Sequence, residues 1–138
     1  MRVFFDSSAF VKRYVREEGT DIVLYWCDQA TELCLSGIAL PEIISAFCRL
    51  QREERLSLLQ YRQLKAMLMA DVSDAAICDL TPEVIRLTII SLEKNVLRGM
   101  DGIHLGSALA LKAEVFVSAD ARQCAAAVAH TGLRVIQV

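Results

Sequence analysis

The sequence lacks a long apolar run. No stretch of its 138 residues approaches the roughly 20 consecutive apolar residues that a membrane-spanning helix requires. The short apolar run at the amino terminus is interrupted by Asp6, which is not the form of a secretory signal peptide. We therefore expect a cytoplasmic protein that makes no membrane contact.

The cysteine pattern of a disulfide-linked or zinc-binding domain is also missing. The five cysteines are odd in number and include no closely spaced pair. Most of them lie among apolar residues, where a free thiol packs like a small hydrophobic side chain. We predict that they pack in or near the core.

An excess of positive charge is absent as well. The formal net charge is −2, so the chain has no general electrostatic attraction for nucleic acid. A nucleic-acid substrate would have to be held by local basic residues and by a metal ion. The charge therefore argues against a non-specific nucleic-acid binder, but it does not exclude a nuclease.

What the sequence does contain is enough apolar surface for a folded domain. Apolar residues make up 54% of the chain, which is sufficient to offset the entropy lost on folding. A chain of this length fits a single domain, residues 1–138, and it shows no internal repeat or linker.

The first ten residues set the pattern for the rest. Val3–Phe5 predicts a buried strand, which ends at Asp6 and is followed by a short helix that Ser8 can cap. An acid at this junction lies at the carboxyl edge of a sheet, and in open α/β sheets ligands bind at that edge.

Strands and helices alternate along the whole chain. Further strands are predicted at 33–38, 76–80, 115–118 and 133–138. Helices are predicted over about 22–30, from Pro41, from Ser57, from Pro82 with Thr81 as cap, from Asp101 after a helical region that ends at Gly99, and over 121–130. The pattern indicates an α/β domain with a central, mostly parallel sheet of about five strands and helices on both faces.

Four acids occupy matching positions in this pattern. Asp6 and Asp120 each follow a strand, whereas Glu42 and Asp101 each lie in the first turn of a helix. In a parallel sheet these positions share one edge, and clustered carboxylates there favour a hard cation such as Mg²⁺ or Mn²⁺. An acid in a first helical turn is also common for structural reasons, so the metal hypothesis depends on the set of four.

The motifs around these acids resemble the PIN-domain family, and above all the VapC-type toxin ribonucleases of toxin–antitoxin pairs. The matching segments are Asp6-Ser7-Ser8-Ala9, Pro41-Glu42, Arg98, the run 101–109 (DGIHLGSAL) and Val117-Ser118-Ala119-Asp120. The resemblance covers nearly the whole chain. Gly102 departs from it, because many relatives have Ala there, and the fourth acid is the most variable in the family.

The resemblance implies a function as well as a fold. It implies that Asp6, Glu42, Asp101 and Asp120 bind Mg²⁺ or Mn²⁺, with Asp6 and Asp101 as principal ligands, and that Ser7 forms a hydrogen bond within the site. The expected activity is metal-dependent hydrolysis of RNA phosphodiester bonds by the toxin of a type II toxin–antitoxin system. The implied partners are RNA, a cognate antitoxin and a second copy in a homodimer.

Two alternatives remain open at this point. One is a catalytically silent PIN-type module that only binds protein. The other is a receiver-like signalling domain, although neither a phosphoacceptor Asp on a middle strand nor a Lys ending a later strand is evident.

Several other side chains allow two interpretations. We favour a structural role for His104 over that of a general acid. Two basic groups either face solvent or steer phosphate: Lys12, Arg13, Arg16 and Arg49, Arg52, Arg55. A stripe of Leu and Met residues over 56–68 is predicted to be mostly core, with a possible groove for a partner helix.

Overall fold

The fold is built on a five-stranded sheet in which all neighbouring strands are parallel. The computed structural model describes residues 1–130 and 132–138. The strands are β1 (Arg2–Phe5), β2 (Glu32–Ser36), β3 (Ala76–Cys78), β4 (Val115–Ser118) and β5 (Arg134–Gln137). The predicted α/β class is confirmed, and the sheet is entirely parallel.

Helices connect the strands. Within the described residues they are α1 (Ser7–Phe10), α2 (Thr20–Gln29), α3 (Ala39–Arg52), α4 (Leu58–Asp74), α5 (Pro82–Lys94), α6 (Gly99–Ala110) and α7 (Ala121–Val128). A turn of 3-10 helix, Val11–Arg13, continues α1. In this described part of the chain, no helix combines the length and the apolar composition needed to cross a membrane.

The strand order is β3-β2-β1-β4-β5, so β1 lies at the centre. The chain first adds β2 and β3 on one side of β1 and then returns to place β4 and β5 on the other. In such sheets ligands bind at the carboxyl ends of the strands where the order reverses, here between β1 and β4. The order also differs from the 2-1-3-4-5 order of receiver-like folds, so that alternative is wrong.

Successive residues of a strand lie on opposite faces of the sheet, and each face carries its own hydrophobic layer. Val3 and Phe5 pack in one layer with residues of α1 to α4, whereas Phe4 packs in the other with residues of α6 and α7. The Phe4 ring stacks on that of Phe116 with 5.7 Å between centroids. Burial of both faces explains why the central strands β1 and β4 are apolar runs and do not alternate.

The start of α6 and the cap of α1 differ from the sequence prediction. Helix α5 ends at Lys94 and α6 begins at Gly99, so Gly99 opens a helix where we expected it to end one. Helix α1 is capped by Asp6 and not by Ser8, because the backbone of Asp6 is extended and its Oδ1 accepts a 2.9 Å hydrogen bond from Ala9 N.

Other helix signals are confirmed. Ser57 forms a capping box with Gln60 at the start of α4. Thr81 caps α5, and Pro82 lies in its first turn as predicted.

Candidate active site

The four predicted acids lie at the carboxyl edge of the sheet. Asp6 follows β1 and Asp120 follows β4, its neighbour in the sheet, while Glu42 and Asp101 lie in the first turns of α3 and α6. They are not equally accessible. Asp6 is fully buried, whereas the other three line two adjoining depressions of the surface.

Asp6 is enclosed by hydrogen-bond donors. Ser118 Oγ donates to its Oδ2 at 2.6 Å, and Ser8 Oγ lies 2.8 Å from Oδ1 and 2.9 Å from Oδ2. Burial raises the pKa of Asp6 above its ordinary value, although these hydrogen bonds and the nearby His104 oppose the shift. The carboxyl group is thus held rigidly beneath the edge.

Glu42 is held by two donors at a single oxygen. His104 Nε2 lies 2.6 Å from its Oε1, and Ser7 Oγ donates to the same atom at 2.7 Å. Burial alone would raise the pKa of Glu42, but the hydrogen bonds from His104 and Ser7 outweigh it and lower the pKa below its ordinary value. At neutral pH this group is therefore a carboxylate.

Asp101 lies between the other exposed acids. Partial burial, and next the negative charge of Asp120, raise the pKa of Asp101 above its ordinary value, and Glu42 adds to the effect. Gln123 Nε2 donates to Asp101 Oδ1 at 3.2 Å. Asp120 caps α7, since its Oδ1 accepts hydrogen bonds from the backbone N–H groups of Arg122 and Gln123.

Two depressions meet at Asp101 and Arg98. One is a mainly apolar cavity of about 570 Å³ between α5 and α6, which we call the α5–α6 groove; Glu42 and Asp101 lie at its rim, and its walls include Ile85, Thr88, Ile89, Leu92, Met100 and Ile103. The other, the polar depression, has a volume of about 550 Å³ and is lined by Arg98, Asp101, Ala119, Asp120, Ala121 and Arg122.

The donor chemistry at this edge fits a hard divalent cation. Glu42, Asp101 and Asp120 offer oxygen atoms only, and the charges that raise the pKa of Asp101 would be neutralised by a cation. The geometry is not that of a closed cage. Among residues 1–130 and 132–138, no three Asp, Glu, His or Cys side chains are grouped closely enough to hold an ion by themselves.

The basic groups named from the sequence lie elsewhere. Lys12, Arg13 and Arg16 form ion pairs with Glu17, Asp71 and Asp21. Arg49 and Arg52 lie in the last turn of α3, whereas Glu42 lies in its first, and Arg55 follows that helix and pairs with Glu53. In the Leu and Met stripe, Leu68 is buried, while Leu59 and Met67 are exposed.

The sequence reasoning missed three contacts of the site. Arg122 lines the polar depression, Gln123 contacts Asp101, and Ser118 contacts Asp6. Their positions in the sequence could have indicated these contacts. Ser118 ends β4, and Arg122 and Gln123 lie at the start of α7, so all three lie at the edge of the sheet that carries the acids.

Comparisons with known proteins agree with the fold. The PIN domain family matches residues 3–129 of the chain. No curated protein sequence matches it.

Several solved structures share the fold. A toxin–antitoxin complex from Klebsiella pneumoniae superposes with a TM-score of 0.71 at 11% identity and covers 99% of each chain. FitAcB from Neisseria gonorrhoeae has a TM-score of 0.70 at 15% identity, over 99% of this chain and 97% of that one. VapC20 from Mycobacterium tuberculosis, a toxin that cleaves the sarcin–ricin loop, has a TM-score of 0.66 at 13% identity, over 90% and 94%.

Proposed function

The chain belongs to the PIN-domain family, and from this membership and the acidic edge we propose that it is a metal-dependent endoribonuclease and the toxin of a toxin–antitoxin pair. The observation that carries the proposal is the position of Asp101. It lies between Glu42 and Asp120 at the point where the strand order reverses, and both neighbours disfavour its ionisation unless a cation is present.

Each acid has a distinct part in this proposal. Asp101, Asp120 and Glu42 would hold Mg²⁺ or Mn²⁺ together with water molecules that complete its coordination. Asp6, which we expected from the sequence to be a principal ligand, is fully buried, so we propose that it supports the other acids from beneath through Ser118 and Ser8. The bound cation would supply a lowered pKa for a water molecule and charge neutralisation at the phosphate. Ser7 would keep Glu42 in place.

Two arginines at the same site suit a polyanionic substrate. Arg98 and Arg122 are exposed and line the polar depression together with Asp101 and Asp120. Within the described residues, neither guanidinium group forms an ion pair or a hydrogen bond, so both are available to phosphate groups. They provide locally the positive charge that the chain lacks overall.

The partner proposal rests on similar structures and on the α5–α6 groove. The similar structures include toxin–antitoxin complexes from Klebsiella pneumoniae and Salmonella typhimurium, the latter bound to DNA. The groove has apolar walls with Glu42 and Asp101 at its rim, which suits an antitoxin segment that carries apolar side chains followed by a basic one. Pairing into a homodimer stays a prediction.

The test is cleavage of total RNA by the purified chain, first in EDTA and then with Mn²⁺ or Mg²⁺ added. We expect cleavage only with metal, and a loss of at least about 100-fold for Asp101→Asn. Asp28→Asn is the matched control, because Asp28 is exposed near the end of α2, at the opposite edge of the sheet.

Cleavage by Asp101→Asn at the wild-type rate, or cleavage in EDTA, would contradict the proposal. A chain that binds Mn²⁺ without cleaving any RNA would instead support the silent, protein-binding alternative.

A further inference from the structure

His104 is buried beside the candidate metal site. It lies one turn after Asp101 on α6 and is 2% exposed. Its Nε2 is 2.6 Å from Glu42 Oε1 and 3.3 Å from Ser7 Oγ, while Phe4 contacts the ring edge-on. Helix α6 thus contacts the start of α3 through an almost completely buried side chain.

The surroundings of the ring determine which nitrogen carries the proton. Nδ1 is buried and has no hydrogen-bond partner within the described residues. A proton there would leave a buried N–H without an acceptor, whereas a proton on Nε2 is donated to the Glu42 carboxylate. The contact is therefore a hydrogen bond from His104 Nε2 to Glu42 Oε1.

The two carboxylate oxygens of Glu42 therefore have different hydrogen-bond partners. Oε1 accepts from both His104 and Ser7. Oε2 makes no hydrogen bond to any described residue, and the Glu42 side chain is 34% exposed at the rim of the α5–α6 groove. Of the two oxygens, only Oε2 is available to a cation or to a water molecule.

We propose that His104 is a positioning residue that fixes Glu42 so that it presents the single oxygen Oε2 to the α5–α6 groove, which Asp101 also lines. The inference rests on the proposed function, because it concerns the same metal site. It assigns His104 no contact with substrate. Outer hydrogen bonds of this kind change metal affinity or activity by roughly 10- to 100-fold when they are removed.

The rival explanation is that His104 only fills space against Phe4. Two substitutions separate the explanations. Gln can place an amide N–H close to the position of Nε2, whereas Leu fills the volume but donates no hydrogen bond. A packing role predicts equal effects of Gln and Leu on metal binding, while a positioning role predicts that Gln restores it.

The experiment measures Mn²⁺ binding to the purified full chain by calorimetry. We expect His104→Leu to weaken Mn²⁺ binding by about 10- to 100-fold and His104→Gln by no more than about threefold. In a Glu42→Gln background, His104→Leu should change the affinity by less than about twofold, because the residue acts through Glu42.

A matched control uses the other histidine of the chain. His130 follows α7, which starts at the acidic edge and runs away from it, so His130→Leu should leave Mn²⁺ affinity unchanged. Thermal melts show whether each variant is folded. If His104→Leu does not fold, Ser7→Ala removes the second donor to Oε1 and should weaken Mn²⁺ binding only when Glu42 is intact.

A measurement on the wild type is independent of any substitution. Two-dimensional ¹H–¹⁵N NMR of the imidazole should show the His104 proton on Nε2. A proton on Nδ1 with none on Nε2, equal losses in the Gln and Leu variants, or additive effects in the Glu42→Gln background would each overturn the inference. If Asp101→Asn also leaves Mn²⁺ affinity unchanged, the proposed function fails as well; if it abolishes binding, only the inference fails.

Discussion

Ser118 Oγ donates a 2.6 Å hydrogen bond to Oδ2 of Asp6 and thereby joins the carboxyl ends of β4 and β1. The same hydroxyl accepts a hydrogen bond from Asp120 N at 2.9 Å. Two of the four candidate acids are therefore connected through one serine. The arrangement buries the carboxyl group of Asp6 completely, and this burial is unfavourable for its ionised form.

The first prediction concerns the stability of Asp6→Asn. Burial raises the pKa of Asp6, so the folded state binds this proton more tightly than the unfolded chain does. The stability that the group contributes is present below its unfolded pKa and is lost as pH rises through the raised folded pKa. Asn does not ionise, and it retains an acceptor for Ala9 N. We therefore expect the variant to gain stability over the wild type as pH rises from about 4 to 8.

Urea unfolding in EDTA at several pH values measures this difference, and Asp28→Asn, at an exposed position, serves as control. The same variant should not cleave RNA, since the site loses a carboxylate. A difference in unfolding free energy that stays constant with pH would contradict the assignment of a raised pKa.

The fold and the edge that carries the acids were predictable because both follow from local sequence. The burial of Asp6 was not, because Ser118 lies 112 positions away and meets it only in the folded sheet. The contact of His104 with Glu42 spans 62 positions and depends in the same way on how α6 packs near α3. The start of α6 at Gly99 was hidden, because Arg98 makes no side-chain capping bond that a sequence pattern could indicate.

The second prediction separates substrate binding from metal binding. Arg122→Ala removes an exposed charge at the polar depression, so it should raise the KM for RNA several-fold and lower the salt dependence of binding by about one unit of slope. Both kcat and Mn²⁺ affinity should change little. Arg62→Ala, at an exposed position on α4, makes the same change in net charge and should leave KM unchanged. Equal effects of the two substitutions would exclude a local phosphate contact.

The third prediction tests the close packing of α5 against α6. A Cβ atom at Gly106 would lie 2.4 Å from Thr88 Oγ1 and 3.0 Å from the carbonyl oxygen of Val84. We expect Gly106→Ala to destabilise the fold by about 1–3 kcal/mol, because the backbone on one side cannot move away. Gly99→Ala, in the same helix, meets nothing within 4 Å and should be neutral or slightly stabilising. Chemical denaturation of both variants measures their unfolding free energies, and equal values would contradict the prediction.

The fourth prediction concerns Asp71, which links α4 to the turn after α1. It accepts hydrogen bonds from Arg13 Nε at 2.9 Å and from the hydroxyl of Tyr14, whose ring packs against Phe47 in the core. Asp71→Ala leaves both donors without a partner at a half-buried position, so we expect a loss of about 1–3 kcal/mol. In a Tyr14→Phe background the loss should be smaller, since one of the two donors is then already absent.

The ion pair between Arg13 and Asp71 also allows the role of Arg13 to be tested. If Arg13 stabilises the fold by pairing with Asp71, Arg13→Ala should lower the unfolding free energy and leave the KM for RNA unchanged. This is the reverse of the result expected for Arg122→Ala. If Arg13 instead binds a phosphate group of the RNA, the KM of Arg13→Ala should rise while its unfolding free energy stays constant. The 2.9 Å contact and the partial burial of both side chains favour the first outcome, because an arginine held in this way is unavailable to a substrate at the opposite end of α1.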